Sequence, residues 1–169
     1  MEVFFEETVF SRADKTDANE VEMLYNAVRL CGRENGTTDW DDDYPDRSFI
    51  DGDIANSALY TLRFNGELIA VVTMLKEDDL EECDVAWTQV KSCVLSRLCV
   101  KPQCQKQHVG EYVMRLITDE AKKEGYLATR HLAALANPAS LRLYDRMGYR
   151  KIGKVHMYDT DFYAYEKLL

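Results

Sequence analysis

Prolines and glycines are scarce in this sequence, with three prolines and eight glycines among 169 residues. No stretch rich in proline, serine or glycine divides the chain, and no segment repeats. Stretches of that composition are typical of linkers between domains, and the length suits one hydrophobic core. The hydrophobic content of 46% is too high for a disordered chain. The sequence therefore predicts a single domain spanning residues 1–169.

Long apolar runs are also missing, and the cysteines and histidines lack the spacing of metal ligands. No segment approaches the roughly 20 apolar residues that cross a bilayer. The first ten residues carry acids where a secretory signal carries bases. The five cysteines contain no CxxC pair, and the three histidines lie far apart. We expect a reduced, cytoplasmic protein with no signal peptide, no metal and no membrane partner.

Basic residues are fewer than acidic ones: the 21 lysines and arginines and the 30 aspartates and glutamates give a net charge of −9. Affinity for nucleic acid comes largely from neutralising phosphates with basic side chains, so we expect no nucleic-acid partner. The surplus of acid suits a solvated surface or a cationic substrate. It is concentrated in residues 39–46 and 77–84.

Apolar spacing and turn residues predict alternating strands and helices. Asn65-Gly66 between two β-rich runs predicts a type I′ hairpin, because both central residues need positive φ. Asp17 and Glu20 have the spacing of a capping box, and Gly32 is expected to end the helix that follows. The predicted strands are 8–12, 58–64, 67–75, 90–100, 129–135, 149–156 and 161–168, and the predicted helices are 17–31, 46–55, 108–124 and 138–147. This order predicts an α/β (α+β) fold with a mixed, mostly antiparallel central sheet flanked by helices.

The junction between the strand ending at Val100 and the helix beginning near His108 is the most informative segment. The first N–H groups of a helix have no intrahelical partner, and the helix dipole favours an anion there. Gly110 allows the backbone to approach a phosphate closely. The junction lacks the glycine density of a P-loop, so an ordinary strand-to-helix turn is the alternative interpretation.

The residues of this junction resemble a known family. Gln105-Lys-Gln-His-Val-Gly110 is similar to the Gln/Arg-x-x-Gly-x-Gly/Ala motif of the GNAT superfamily, the acyl-CoA-dependent N-acetyltransferases. As in the family, the motif follows a strand that ends in Leu98, Val100 and Pro102. His108 departs from the motif, because a glycine usually stands there. Either the imidazole contacts the cofactor or the substitution is simply tolerated on the first helical turn.

A second stretch supports the resemblance. Asn137, Tyr144 and the run Met147-Gly-Tyr149 resemble the family's other signature, and the order of elements matches the GNAT fold over nearly the whole chain. A narrower likeness to a bacterial GNAT subgroup rests on scattered residues and implies no particular substrate. These residues are Trp40, Tyr44-Pro45, Asp53-Ile54, Arg97 and Ala164-Tyr-Glu-Lys167.

The resemblance implies a binding site for acetyl-CoA as co-substrate. Backbone groups of Leu98 and Val100 would meet the pantetheine arm, and the Asn137 side chain would lie in the same region. Asn137 has an alternative role as the cap of the helix that begins at Pro138. The pyrophosphate would bind over the N–H groups of Gln105, Lys106, Gln107, His108, Val109 and Gly110.

The resemblance makes Tyr144 the general acid that protonates the departing CoA thiolate. A phenol with a pKa near 10 can donate a proton to a thiolate whose thiol form has a pKa of about 8–9, if the hydroxyl lies close to the sulfur. Packing in the core is the alternative, because Leu141, Tyr144 and Met147 lie at helical spacing. No general base is assigned; Glu67 and Asp84 are weak candidates.

The acceptor site is the least determined part. Trp40 and Tyr44, among the aspartates of residues 39–46, would suit a cationic amine through charge and cation–π attraction. A solvated acidic loop with two anchoring aromatic residues is the alternative. Arg97 would instead suit a substrate carboxylate.

These observations predict an N-acetyltransferase that moves an acetyl group from acetyl-CoA to a primary amine by direct attack. The acceptor is a small molecule, an amino acid or a peptide. The alternative is an acyl-CoA-binding or regulatory GNAT-like domain without catalysis. A homodimer is compatible with the sequence.

Overall fold

The structure, a computed structural model, describes residues 2–37, 40–41 and 43–169. The described helices are α1 (Ala18–Glu34), α2 (Arg47–Ala55), α3 (Val109–Lys123) and α4 (Pro138–Arg146). The strands are β1 (Thr8–Arg12), β2 (Leu59–Phe64), β3 (Glu67–Leu75), β4 (Ser92–Val100), β5 (Ala128–Ala134), β6 (Arg150–Met157) and β7 (Thr160–Leu168). Every predicted element is present, with ends that match the prediction or differ from it by at most three residues.

The strands form one seven-stranded sheet in the order β1-β2-β3-β4-β5-β7-β6. β1–β2, β2–β3, β5–β7 and β6–β7 pair antiparallel, whereas β4 and β5 pair parallel. The parallel register joins Ser92 to Ala128 and Val94 to Arg130. The α/β class with a mixed sheet flanked by helices is therefore confirmed.

Contacts along the chain group into two compact units. The first unit contains Met1–Thr73 and Arg97–Ile117, and the second contains Met74–Ser96 and Thr118–Leu169. The single domain expected from the sequence stays a prediction. No described helix combines the length and the apolarity that a membrane span requires.

The core of the first unit is built by α1, α2 and the β2–β3 hairpin. Tyr25 of α1 and Ile50 of α2 are almost fully buried against Leu59 and Val71 of the two strands. Asn65 and Gly66 have φ values of 51° and 82°, which confirms the predicted type I′ turn. Asp46 caps α2, since its side chain accepts hydrogen bonds from the backbone N–H of Ser48 and Phe49.

Asp17 precedes α1 at the N-cap position as predicted, whereas the predicted capping box and the predicted helix end at Gly32 are wrong. The Asp17 side chain makes no capping bond, because its carboxylate and that of Glu20 pair with Arg63 at 2.6 and 2.9 Å. The helix also continues through Gly32 to Glu34. Gly32 is needed for a different reason: a Cβ there would lie 2.8 Å from the carbonyl oxygen of Thr37. The glycine marks a close backbone approach rather than a helix end.

The second unit contains a buried charged pair across β5 and β7, in which Arg130 and Glu166 are partners in the strand register. Glu166, which is fully buried, accepts from Arg130 Nε at 3.1 Å and from the Thr88 hydroxyl at 2.5 Å. The Arg130 guanidinium also pairs with Glu81 at 2.8 Å and lies over the Trp87 ring. Nothing in the sequence pattern pointed to this network, because its members are distant along the chain.

Candidate functional site

Arg97 is the most constrained of the predicted site residues. It lies inside β4 with a φ of 51°, a left-handed conformation that is costly for any residue except glycine. Its guanidinium forms a two-pronged pair with Asp53, with Nη2–Oδ1 and Nε–Oδ2 distances of 2.7 and 2.9 Å. Thr73 donates to the same carboxylate at 2.8 Å, and Arg97 Nη1 donates to the Tyr44 hydroxyl at 3.3 Å.

This arrangement argues against one prediction. The Arg97 and Asp53 side chains are 6% and 8% exposed, and the guanidinium hydrogen-bonds Asp53 and Tyr44 along both of its edges. A substrate carboxylate would have to displace one of these buried partners and leave it unpaired, which is costly. The hydrogen bonds of Arg97 hold Asp53 and Tyr44 in place, and a substrate-carboxylate contact at Arg97 stays a prediction that this pairing does not favour.

The two predicted acceptor-side aromatic residues are anchored by packing. Trp40 lies edge-on to Tyr25 at 5.3 Å between ring centroids, and Tyr44 lies edge-on to Phe49 at 5.0 Å. The Tyr25 hydroxyl is buried without a hydrogen-bond partner in the described chain, and burial raises its pKa well above 10. Of the acidic loop, Asp39 and Asp42 lie outside the described residues, as does Thr38.

The β4–α3 turn has an unusual backbone. Lys106 and His108 have φ values of 61° and 62°, so both occupy the left-handed region that favours glycine. This conformation gives a physical reason for a glycine in the related motif, because glycine adopts a left-handed backbone without strain. His108 adopts it at a cost in conformational free energy. The His108 ring is 73% exposed, with Nδ1 3.4 Å from a Glu111 carboxylate oxygen.

Side chains of the turn hold its own backbone. The Gln105 amide donates to the Val100 carbonyl at 3.1 Å, and the Gln107 amide donates to the Gln103 carbonyl at the same distance. The Gln107 oxygen also accepts from Val3 N at 3.0 Å. Just beyond, Val109 and Gly110 begin α3 and place its first N–H groups at the turn. These N–H groups can hold an anion such as a pyrophosphate.

The two weak base candidates lie in different units. Glu67, in the first unit, is about half exposed and pairs with Lys101, which is also close to the turn. Asp84, in the second unit, is exposed beside a shallow surface depression that Cys83, His156 and Met157 help to line. Neither carboxylate is buried. No general base is assigned.

In the second unit, Asn137 and Tyr144 mark the two ends of α4. The Asn137 side chain accepts from Ser140 N at 3.2 Å, so the capping role is present. Tyr144 is buried, with 8% of its surface exposed. Its ring centroid lies 3.9 Å from that of His131 on β5.

His131 is the residue of this region that sequence reasoning missed. It is 2% exposed, and neither ring nitrogen has a hydrogen-bond partner among the described residues. Burial lowers its pKa from 6.5 to about 3, so the imidazole is neutral at physiological pH. The available signal was weak: a histidine within the predicted strand, where alternation directs its side chain to one face of the sheet.

Metal ligation finds no support in the described part of the chain, where no three histidine, cysteine or acidic side chains group as ligands. The five cysteines are free thiols, and burial raises the pKa of Cys93 to about 12. Cys99, on β4, is fully buried as well, and its pKa is raised by burial in the same direction. Burial therefore disfavours the reactive thiolate form of Cys93 and Cys99.

Comparison with known proteins identifies the class. Residues 21–149 match the family model of the acetyltransferase (GNAT) family. This match covers most of the chain, which therefore belongs to that family, and the protein is an acyltransferase. No curated protein sequence matches the chain.

Solved structures give the same fold at low sequence identity. A GNAT-family acetyltransferase from Streptococcus agalactiae superposes with a TM-score of 0.82 and 16% identity, covering 99% of both chains. One from Listeria monocytogenes has a TM-score of 0.78 and 20% identity, covering 96% of this chain and 95% of its own. A chain of the NatC complex bound to Gag peptide and CoA has a TM-score of 0.73 and 14% identity, covering 96% and 99%.

Proposed function

We propose that this acyltransferase uses acetyl-CoA and transfers the acetyl group to a primary amine by direct attack. The single observation that carries the proposal is the β4–α3 turn, where His108, which stands at the position of the motif's glycine, has a left-handed backbone, as does Lys106. The turn leads into the first N–H groups of α3, which suit a pyrophosphate. Members of this family use acyl-CoA, and the related NatC complex binds CoA.

Acetyl-CoA would supply an acetyl group already activated as a thioester. Backbone groups of Leu98 and Val100 would orient its pantetheine arm, and Asn137 would lie in the same region. The amine nitrogen bonds to the carbonyl carbon and loses one proton to solvent, while the carbon–sulfur bond breaks. Tyr144 donates its phenolic proton to the departing sulfur and regains one from solvent, so that the products are an amide and free CoA.

The acceptor is a small molecule, an amino acid or a peptide with a neutral primary amine. The buried Arg97–Asp53 pair leaves no support for a carboxylate contact at Arg97, which favours acceptors recognised through their amine. Because the NatC complex binds a peptide, peptide N-termini belong in the assay.

The test combines binding and turnover. We expect acetyl-CoA to raise the melting temperature, since a ligand that binds the folded state stabilises it by mass action. Free CoA thiol should then accumulate when amines, amino acids and peptides are added. Stabilisation without turnover on any acceptor would support a non-catalytic acyl-CoA-binding domain, and no stabilisation at millimolar acetyl-CoA would reject the cofactor.

A matched pair of variants locates the cofactor. Lys106→Glu reverses an exposed charge in the turn, whereas Lys123→Glu makes the same change at the last turn of α3. We expect Lys106→Glu to weaken acetyl-CoA binding several-fold, because it places a carboxylate near phosphate. Equal effects of the two variants would contradict binding at the turn.

A further inference from the structure

The β4–α3 turn contains two strained residues with a glutamine between them. Lys106 and His108 have φ values of 61° and 62°, a region that is unfavourable for any residue except glycine. Strain of this kind persists only where the surrounding structure fixes it. The half-buried Gln107 side chain supplies two such contacts, because its amide donates to the Gln103 carbonyl at 3.1 Å and its oxygen accepts from the Val3 N–H at 3.0 Å.

The donor to the Gln107 oxygen belongs to a segment 104 positions earlier in the chain. This segment, residues 2–7, lies in the first unit together with the turn. The Phe5 ring stacks on Tyr112 of α3, with centroids 4.3 Å apart and an angle of 17° between the ring planes. The Tyr112 N–H donates to the His108 carbonyl at 3.0 Å. The 2–7 segment therefore contacts the residue before His108 and the residue that binds its carbonyl.

The 2–7 segment is itself fixed to the sheet. The Thr8 hydroxyl donates to the Phe5 carbonyl at 2.7 Å, and Thr8 begins β1 as the register partner of Phe64 on β2. The Phe4 ring centroid lies 6.4 Å from that of Phe64. The segment thus links the turn to two hydrogen-bonded strands, which gives it the rigidity to hold a strained backbone in place.

We propose that the 2–7 segment braces the β4–α3 turn and that Phe5 is a positioning residue for acetyl-CoA. This proposal rests on the proposed function. Without the brace, Lys106 and His108 leave the left-handed region for part of the time, and the N–H groups of the turn then point in other directions. A ligand that binds one conformer has its affinity reduced by the fraction of molecules in that conformer. The brace therefore acts on affinity for the cofactor and not on the chemical step.

Phe5→Ala removes the stack on Tyr112. We expect it to raise the Kd for acetyl-CoA roughly fivefold, with kcat at saturating acetyl-CoA changed less than twofold. Phe5→Tyr keeps the ring and should retain the affinity of the wild type. Phe10→Ala is the matched control, because it removes a similarly stacked ring, 5.4 Å from Tyr60, from the same unit. Unchanged affinity in Phe5→Ala, or an equal loss in Phe10→Ala, would overturn the proposal.

A second variant removes the other contact of the brace. Gln107→Leu deletes both hydrogen bonds of the side chain and keeps its backbone N–H, so we expect a similar loss of affinity. Gln103→Leu makes the same change on an exposed side chain of the turn and leaves the carbonyl that Gln107 uses. Equal Kd values for the two leucine variants would contradict the brace.

Glycine in the turn tests whether the brace acts on backbone strain. Glycine adopts positive φ about as readily as negative φ, so Lys106→Gly/His108→Gly lowers the need for a brace. In that background we expect Phe5→Ala to change the Kd for acetyl-CoA less than twofold. The same roughly fivefold loss in both backgrounds would mean that Phe5 acts independently of the strained turn, which would overturn the proposal.

Hydrogen–deuterium exchange of the free protein tests the brace without any ligand. We expect amides of residues 103–110 to exchange roughly fivefold faster in Phe5→Ala than in the wild type or Phe10→Ala, because the turn opens more easily. Equal exchange in Phe5→Ala and the wild type would overturn the brace while leaving the proposed function in place. Absence of acetyl-CoA binding by the wild type would instead overturn the proposed function, and with it the positioning role of Phe5.

Discussion

Arg97 and Asp53 in the first unit and His131 in the second are nearly equally buried, yet their surroundings are opposite. The Arg97–Asp53 pair is joined by two hydrogen bonds and supported by Thr73 and Tyr44. The His131 nitrogens have no such partner in the described chain. Burial alone therefore does not tell a structural polar group from a functional candidate; the state of its hydrogen bonds does.

The comparison also predicts whether a substitution raises or lowers the free energy of unfolding. Removing one member of a satisfied buried pair leaves an uncompensated charge and destabilises the fold. Removing an imidazole without partners takes away a cost that the folded state carries. The two regions should thus respond in opposite directions to the loss of a polar side chain.

The largest effect is expected for Asp53→Ala. It leaves the Arg97 guanidinium buried without its carboxylate, so the free energy of unfolding should fall by about 3–5 kcal/mol. Urea denaturation measures the change. Arg47→Met is the control, because the Arg47 pairs with Glu22 and Asp51 are solvent-exposed and should contribute far less. Equal losses in the two variants would remove the distinction between paired buried and paired exposed charges.

Tyr144→Phe should have the next largest effect, on activity. Loss of a general acid lowers kcat by roughly 100-fold or more, whereas the affinity for acetyl-CoA should change less than about twofold. Steady-state kinetics with the best acceptor and calorimetric titration of acetyl-CoA measure the two quantities. Tyr163→Phe, on half-buried Tyr163 of β7, is the control. An unchanged kcat would remove Tyr144 from the acid role.

Acid should destabilise the protein through His131. Its pKa is about 3 in the folded state and near 6.5 when unfolded, so below pH 6.5 the unfolded chain binds the extra proton. This contribution is fully present above pH 6.5 and is lost as the pH falls towards 3. Between pH 7.5 and 5.0 the wild type should lose about 2 kcal/mol more than His131→Phe. Parallel pH profiles of the two proteins would contradict the buried, neutral imidazole.

The smallest effect concerns the exposed histidine of the turn. The φ of 62° at His108 is a left-handed conformation that destabilises the folded state for a non-glycine residue. His108→Gly should therefore raise the free energy of unfolding by about 0.5–1 kcal/mol. The affinity for acetyl-CoA should stay within twofold. His156→Gly, within β6, should destabilise instead, because glycine weakens a strand. A large loss of acetyl-CoA affinity in His108→Gly would mean that the imidazole contacts the cofactor.

Much of the fold could be predicted because its signals are local. The Asn65-Gly66 turn, the Asn137 cap and the proline start of α4 each depend on residues adjacent in the chain. The capping box and the C-terminal end of α1 were wrong because distant groups intervened. Arg63 draws the carboxylates of Asp17 and Glu20 into ion pairs, and the close approach of Thr37 explains Gly32.

The candidate site likewise combines features that the local sequence predicts with features that depend on distant contacts. The sequence by itself determined the family, through the 105–110 turn and the spacing of Asn137 and Tyr144, because these motifs are short and contiguous. Only the tertiary structure decided that Arg97 is bound to Asp53, 44 positions away, and that His131 lies unpartnered against Tyr144. Pairing and burial depend on which residues the folded chain brings together, and no spacing along the sequence encodes that directly.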